Sequence, residues 1–316
     1  MKLLFTSVGR RVELLQAFRD AAEKTGIGLT LCGADISDTA PALFFCDEKY
    51  TVPRINSGDY IPALLEICKK EDITAIVPTI DTDLLILAQN RECFAEVGTT
   101  VVISDPEKIR VCRDKRLTAE FFTECGLKAP MTFDDVEKYD MGFPAFIKPK
   151  DGSSSINAFK VENEDSLRSY ASRIDDYIIQ PFVEGTEYTV DIFCDLDGRP
   201  VFITPRIRLA VRSGEVLKTE IRKDESIISE MLSFIEKYKP RGAVTVQLIQ
   251  NNATGENWYI EINPRFGGGA PLSMKAGADA AAAMLRMLSG ETLFYCPDGA
   301  EDGAVFSRFD QSVRVK

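Results

Sequence analysis

The rhythm of this chain changes near residue 105, and that change excludes most folds. Before it, short apolar strand-like runs alternate with segments whose apolar residues recur at helical spacing. Leu3-Leu4-Phe5, Leu29-Thr30-Leu31, Ile73 to Val77 and Val101-Val102-Ile103 are the strand runs. Between them lie a helix carrying Val12, Leu15, Phe18 and Ala22, one capped by Ser57 with Leu64, Leu65 and Cys68, and one capped by Thr82 with Leu84, Leu87 and Ala88. This βαβα order predicts a parallel sheet with helices on both faces over residues 1–104. Ligands of such sheets gather at the carboxyl ends of strands, here near Ser7-Val8-Gly9, Asp35 and Thr79 to Asp83.

After Asp105-Pro106 a helix is predicted from Asp114 to Cys125, closed by Gly126. From Phe146 onward strands follow strands. Asp197-Gly198 turns between 188–194 and 200–207, and 251–255 turns between 243–250 and 258–262. Helices over Ser226–Tyr238 and Ser273–Ser289 interrupt. The expected second domain, 105–316, is therefore α+β with antiparallel sheets. At 316 residues the chain has room for two such domains.

The sequence contains no histidine, which removes the Ser-His-Asp triad, His-ligated zinc and imidazole acid–base chemistry. Chemistry must run on carboxylates, Lys, Arg, amides, hydroxyls, backbone N–H groups and bound metal. A net charge of −11 argues against nucleic acid and anionic membrane as partners. The eight cysteines are dispersed, form no C-x-x-C pair and mostly adjoin apolar residues, so they read as small buried hydrophobes. With no signal-type apolar region near Met1 and no run of 18 apolar residues, a reduced, cytoplasmic protein is expected.

Four constellations carry chemistry. In the first, Lys148 ends a strand and Gly152, Ser153, Ser154 and Ser155 follow, small residues able to bring backbone donors to phosphate oxygens; a solvated turn has the same composition, and the Walker A spacing is absent. In the second, Glu261 and Asn263 share one strand face, Gln247 lies on the preceding hairpin strand, and Arg265 stands just past the strand end. These are hard oxygen ligands for Mg²⁺ beside a phosphoryl-binding fork, and Gly267-Gly268-Gly269 would let backbone approach a ligand. An exposed polar strand face is the alternative. In the third, Pro181 breaks a strand between Gln180 and Phe182-Val183, exposing backbone groups to an adenine edge, with Glu187 placed for ribose hydroxyls; an ordinary strand–turn–strand has the same signature. The fourth is basic: Arg206, Arg208, Arg212 and Lys218 around Ser213-Gly214-Glu215, either an anion site or a charged sheet edge.

Their order, Lys115, Lys148 with its Gly/Ser loop, Gln180 to Glu187, Gln247, then Glu261 and Asn263, resembles the ATP-grasp superfamily. The closest likeness is to short proteins similar to the carbamoyl phosphate synthase synthetase subunit and to the pyrrolysine-biosynthesis ligase. The resemblance implies a Rossmann-like pre-ATP-grasp domain at 1–104 and an ATP-grasp domain at 105–316, with a small subdomain over 105–180 and a large one over 181–316. It implies that Lys115 and Lys148 hold ATP phosphates, Lys148 also lying near the adenine, and that Gly152 to Ser155 close over the β- and γ-phosphates. Gln180, Phe182 and Val183 would line the adenine slot and Glu187 would bind ribose. Gln247, Glu261 and Asn263 would hold Mg²⁺, with Mn²⁺ as a substitute. Arg265, Lys218 and Arg212 would be the catalytic cations, and Arg206, Arg208 and Arg212 the substrate-binding set. Two departures stand out: Gln180-Pro181 replaces the common Glu-Lys at the adenine hinge, and Gln247 replaces an acidic ligand.

The implied activity is an ADP-forming carboxylate–amine ligase acting through an acylphosphate, with a small carboxylate and an amine as partners. Phosphoryl transfer to a carboxylate needs positioning and charge neutralisation more than proton transfer, so it runs without histidine. Two alternatives are phosphorylation of a very small acid, in the manner of carbamoyl phosphate synthase, and an ATP-binding partner subunit without turnover. A homodimer is expected by analogy with relatives.

Overall fold

The computed structural model describes residues 1–151 and 156–316. In chain order the first part runs β1 (Lys2–Thr6), α1 (Val12–Thr25), β2 (Thr30–Asp35), β3 (Glu48–Thr51), α2 (Tyr60–Glu71), β4 (Ala75–Pro78), α3 (Leu84–Gln89), α4 (Arg91–Ala95) and β5 (Thr100–Val101). All five strands pair parallel in the order β3-β2-β1-β4-β5. Successive strand side chains point to opposite faces. Accordingly Leu3 and Phe5 pack with Leu15 and Phe18 of α1, while Leu4 packs with Leu64 of α2 and Leu84 of α3. The consecutive apolar residues Leu3, Leu4 and Phe5 in the middle of β1 are what a strand covered on both faces requires.

The chain continues through α5 (Pro106–Arg113), α6 (Lys115–Glu124), β6 (Ala145–Pro149), β7 (Phe159–Val161), α7 (Glu164–Ala171) and β8 (Tyr177–Pro181). β6 lies between β7 and β8 in an antiparallel three-stranded sheet. Then come β9 (Thr186–Cys194), β10 (Pro200–Arg212), β11 (Glu215–Ile221), α8 (Glu225–Tyr238), β12 (Gly242–Gln250), β13 (Asn257–Asn263), α9 (Ala270–Lys275), α10 (Ala280–Leu288) and β14 (Val305–Ser307). Six of these strands form an antiparallel sheet ordered β13-β12-β9-β10-β11-β14. One face of β9 puts Val190 and Ile192 against Met231 and Phe234 of α8. The other face puts Phe193 into the same core as Phe5, Phe18, Phe266 and Met284, so the parallel sheet and the large antiparallel sheet share one apolar cluster.

The parallel-then-antiparallel order and both hairpins match the expectation. Several local readings need correction. α2 starts at Tyr60 rather than Ser57, whose Oγ instead accepts from Asp59 N at 3.2 Å in the preceding turn. α3 is preceded by Asp83, not capped by Thr82, because the Asp83 side chain turns inward. The strand expected over Val101–Ile103 ends at Val101. The helix expected over Ser273–Ser289 is two helices, because the backbone at Gly277 lies at φ 116° and breaks the run. β3 and α5 went unread, since Glu48–Thr51 is mostly exposed and polar and α5 buries only Ile109. Of the cysteines, Cys32, Cys68, Cys125 and Cys194 are buried, while Cys93 and Cys296 are exposed. Among the described residues no helix is long and apolar enough to cross a membrane.

Candidate active site

Three separate elements deliver charge to one place. Lys148 comes from the end of β6 and is 7% exposed. Lys115 opens α6, whose N-cap Asp114 accepts from Arg116 N at 2.9 Å. The backbone N–H of Lys115 donates to Lys150 O at 3.0 Å, which ties the start of α6 to the end of β6. Glu261 comes from β13 of the large sheet. Burial lowers the Lys148 ammonium to about 8, with Glu261 opposing that shift and Lys115 adding to it. Lys115 is likewise lowered by burial and opposed by Glu261 and Asp151. Glu261 thus faces two desolvated ammonium groups, an arrangement suited to a polyanion.

Gln247 and Glu261 are directly opposite across the β12–β13 ladder, and Asn263 stands two residues on along the same face. This is one carboxylate and two carboxamide oxygens. Among the described residues no group of three or more acidic or thiol side chains is poised to hold a metal. The donor set fits Mg²⁺, which characteristically takes one or two protein carboxylates and completes its shell with waters and phosphate oxygens. Asp81, Cys112, Lys115, Glu261, Asn263 and Pro264 line a cleft here.

A pair of aromatic rings adjoins this cluster on the small sheet. Phe146 and Phe182 have ring centroids 6.5 Å apart. Lys160 Nζ lies 4.6 Å from the Phe182 centroid and Lys148 Nζ 5.9 Å from that of Phe146. Gln180 sits opposite Phe146 in the ladder but is buried, and its Nε2 donates to Thr132 Oγ1 at 2.8 Å. The N–H of Phe182 donates to Pro144 O at 3.1 Å, so the ladder runs one residue past Pro181. Val183 follows, half-buried. Phe146, Lys160 and Thr132 were not singled out from the sequence; the alternation that places Phe146 two residues before Lys148 was the available signal. Gly152, Ser153, Ser154 and Ser155 lie outside the described residues.

Arg265 leaves the end of β13 and crosses to the parallel-sheet domain. Its Nη2 donates to Asp81 Oδ2 at 2.7 Å and to Asn263 Oδ1 at 3.2 Å, and its Nη1 donates to Phe266 O at 3.2 Å. Its Nε is buried without a partner among the described residues. Asp81 lies in the Thr79–Asp83 stretch expected at a ligand-binding edge, although its tie to Arg265 was not anticipated.

The basic cluster does not act as one patch. Arg206 is 2% exposed, and its Nε donates to Asp191 Oδ2 at 2.7 Å. Asp191 also accepts from Ser273 Oγ at 2.7 Å, making a buried ion pair with its own hydrogen bonds rather than an open anion site. Arg208 Nε stands 3.1 Å from Glu187 Oε2, close enough for an ion pair though not aligned as a hydrogen bond, and its Nη2 donates to Gly214 O at 3.0 Å. Arg212 is exposed and pairs with Asp310 at 3.1 Å. Lys218 is exposed and lies opposite Ser307 of β14. Among the described residues neither Arg212 nor Lys218 hydrogen-bonds or ion-pairs with Lys148 or Glu261.

The glycine run also needs a correction. It was expected to admit a ligand, but each glycine makes room for a side chain of the protein itself. A Cβ would stand 2.8 Å from Thr245 Oγ1 at Gly267, 2.1 Å from Glu215 Oε2 at Gly268 and 2.6 Å from Arg206 Nη2 at Gly269.

Comparison with known proteins places this geometry. Residues 3–102 match the model of a PylC-like N-terminal domain and residues 112–269 that of an ATP-grasp domain. A carbamoyl-phosphate synthase of Methanobrevibacter smithii is 27% identical over 50% of this chain and 44% of its own length. A D-alanine–D-alanine ligase of Clostridium botulinum is 27% identical over 50% of this chain and 59% of its own. The chain thus spans about half the length of these relatives. The structure of the biotin carboxylase domain of Hydrogenobacter thermophilus 2-oxoglutarate carboxylase, in complex with MgADP, ADP and bicarbonate, superposes with a TM-score of 0.76 at 17% identity. It covers 96% of this chain and 73% of that one, a likeness of fold.

Proposed function

Because the chain belongs to the ATP-grasp family, we propose that it is an ATP- and Mg²⁺-dependent, ADP-forming carboxylate–amine ligase with its pre-ATP-grasp domain over residues 1–104 and its ATP-grasp domain over 105–316. The observation that carries this reading is the meeting of Lys115, Lys148 and Glu261 from three separate elements. Lys148 and Lys115 hold the phosphates of ATP, and their desolvated charges act more strongly there than they would in water. Phe146 and Phe182 cover the base, with Val183 beside them, and Glu187 reaches the ribose. Gln247, Glu261 and Asn263 hold Mg²⁺, which when bound supplies charge neutralisation on the phosphate oxygens.

Arg265, fixed by Asp81 and Asn263, orients the transferred phosphoryl group. The substrate carboxylate attacks the terminal phosphorus and ADP leaves. The amine then attacks the acyl carbon and phosphate leaves. No group in this sequence needs to abstract a proton from the carboxylate, which is already ionised at neutral pH.

Release of ADP and phosphate with Mg²⁺ and ATP, measured against pooled amino acids and small carboxylates, tests the reading. Release that depends on one pool and stops when Mg²⁺ is chelated supports it. The carbamoyl-phosphate synthase relative favours a second reading, phosphorylation of a very small acid; release driven by bicarbonate or formate alone would select it. ATP binding with no release from any pool would indicate a partner subunit without turnover.

A further inference from the structure

Arg11 stands at the carboxyl edge of the parallel sheet, just before α1, and reaches across the domain junction. Its Nη1 would be 2.9 Å from a Cβ on Gly268, and it stands 3.7 Å from Glu215 Oε1, outside hydrogen-bond distance. The two side chains are 19% and 51% exposed, so solvent reaches both. Among the described residues no hydrogen bond leaves the Arg11 guanidinium and none reaches the Glu215 carboxylate, whose other neighbour, Arg308 Nη1, stands at 3.5 Å. A guanidinium that makes this ion contact but no hydrogen bond within the described residues keeps its five donors for a ligand. Burial and the neighbouring Arg265 act against its charge, while Glu215 and Asp81 favour it. Gly268 is what admits the pair, since a side chain there would collide with Glu215.

We propose that Arg11 and Glu215 are the recognition pair for an α-amino acid, Arg11 gripping its α-carboxylate and Glu215 its α-ammonium. Opposite protein charges a few ångströms apart are matched by a ligand that carries opposite charges on one carbon atom. Arg265 adjoins Arg11 on one side and Asn263 on the other, so a zwitterion held here lies beside the proposed phosphoryl-transfer site. A simple dicarboxylate would set its second charge against Glu215 and be rejected. This inference rests on the ligase reading for its place in the reaction, although binding itself can be tested without turnover.

The experiment pairs two readouts: the melting temperature of the full chain with Mg-ADP and pooled proteinogenic amino acids, and ADP release with the same pools and ATP. One pool should raise the melting temperature and drive release. Losing a charge-assisted hydrogen bond should raise the KM for that amino acid about ten- to a hundredfold in Arg11→Gln and Glu215→Gln, with the KM for ATP unchanged. The N-acetyl and carboxamide derivatives, each lacking one charge, should not shift melting. Glu215→Gln, on a half-exposed side chain, carries the test if Arg11→Gln does not fold. A melting shift that Arg11→Gln abolishes, without ADP release from any pool, would uphold the pair and sink the ligase reading. Release driven by dicarboxylates with no response to amino acids would uphold the ligase and overturn the pair. No melting shift from any pool, or an unchanged amino acid KM in both variants, would also overturn the pair.

Discussion

Arg265, in the loop after β13, donates a 2.7 Å hydrogen bond to Asp81, in the loop after β4, and so one residue of the large sheet is held by the parallel-sheet domain. Both side chains are mostly buried, at 11% and 15% exposed. The bond fixes a guanidinium that also touches Asn263, a proposed metal ligand. Asp81→Asn keeps an acceptor but removes the charge. Turnover should fall about ten- to a hundredfold, as expected for a lost charge-assisted bond. The KM for ATP should move little, because Arg265 and not the nucleotide loses its anchor. Steady-state kinetics on the purified variant checks this split.

Lys148 predicts a pH dependence. Its folded-state value of about 8 lies below the ordinary 10.5 because the site is dry. As pH rises through 8 the free enzyme loses this charge, and ATP affinity should weaken while Lys148→Met shows a flat profile. The same shift acts on stability with the opposite sign. Between about 8 and 10.5 the unfolded chain binds the extra proton, so this group's contribution to stability rises with pH. ATP titrations across this range, with denaturation curves alongside, separate the two effects.

Asp83 is fully buried, and its Oδ2 accepts from Thr6 Oγ1 at 2.8 Å, Ser7 Oγ at 3.0 Å and Tyr60 OH at 3.2 Å. Its Oδ1 has no partner among the described residues. Burial raises the carboxyl from 3.8 to about 6, against the pull of these three donors. The folded state therefore holds a proton that the unfolded chain has released between those values. Asp83's contribution to stability is fully present below about 4 and is lost as pH rises through 6, by an amount on the order of 2–3 kcal/mol. Urea denaturation at pH 4.5 and 7 should show this loss in the wild type and not in Asp83→Asn. Equal pH dependence in both would exclude it.

The order of elements was legible because β1 carries an apolar run, β9 and β12 mix β-branched and apolar residues with polar ones, and the turns at Asp197-Gly198 and Asn251 to Gly255 mark the hairpins. Lys148, Glu261 and Asn263 could be named because they sit at a strand end or on one strand face, positions that local pattern defines, whereas Lys115 was named only through the resemblance of the motif order to the ATP-grasp superfamily. Arg206 and the glycine run were misread for the same reason: a charge and a small residue look alike whether they meet a ligand or another side chain. Asp191 decides the first, 15 positions away across the β9–β10 hairpin, and Glu215 and Arg11 decide the second from other elements of the fold. Asp81 and Arg265 are separated by 184 positions, a contact that no local pattern encodes.

Gly185 permits the chain leaving the small sheet to cross Gln250. A Cβ there would stand 2.1 Å from the Gln250 carbonyl oxygen, and backbone cannot swing aside as a side chain can. Gly185→Ala should cost about 1–3 kcal/mol, the usual range for overpacking. Gly28→Ala, with nothing within 4 Å, should stay within about 0.5 kcal/mol of the parent. Chemical denaturation of the pair checks the difference.

The central claim is that Lys115, Lys148 and Glu261 form one phosphoryl-transfer site. Substrate-dependent ADP release by the wild type and by Glu261→Gln tests it most directly, with melting temperatures recorded for both. The account predicts a fall of about a hundred- to a thousandfold in Glu261→Gln, with a cooperative melting transition retained because Glu261 packs in no apolar core. Full turnover by a folded Glu261→Gln enzyme would contradict it.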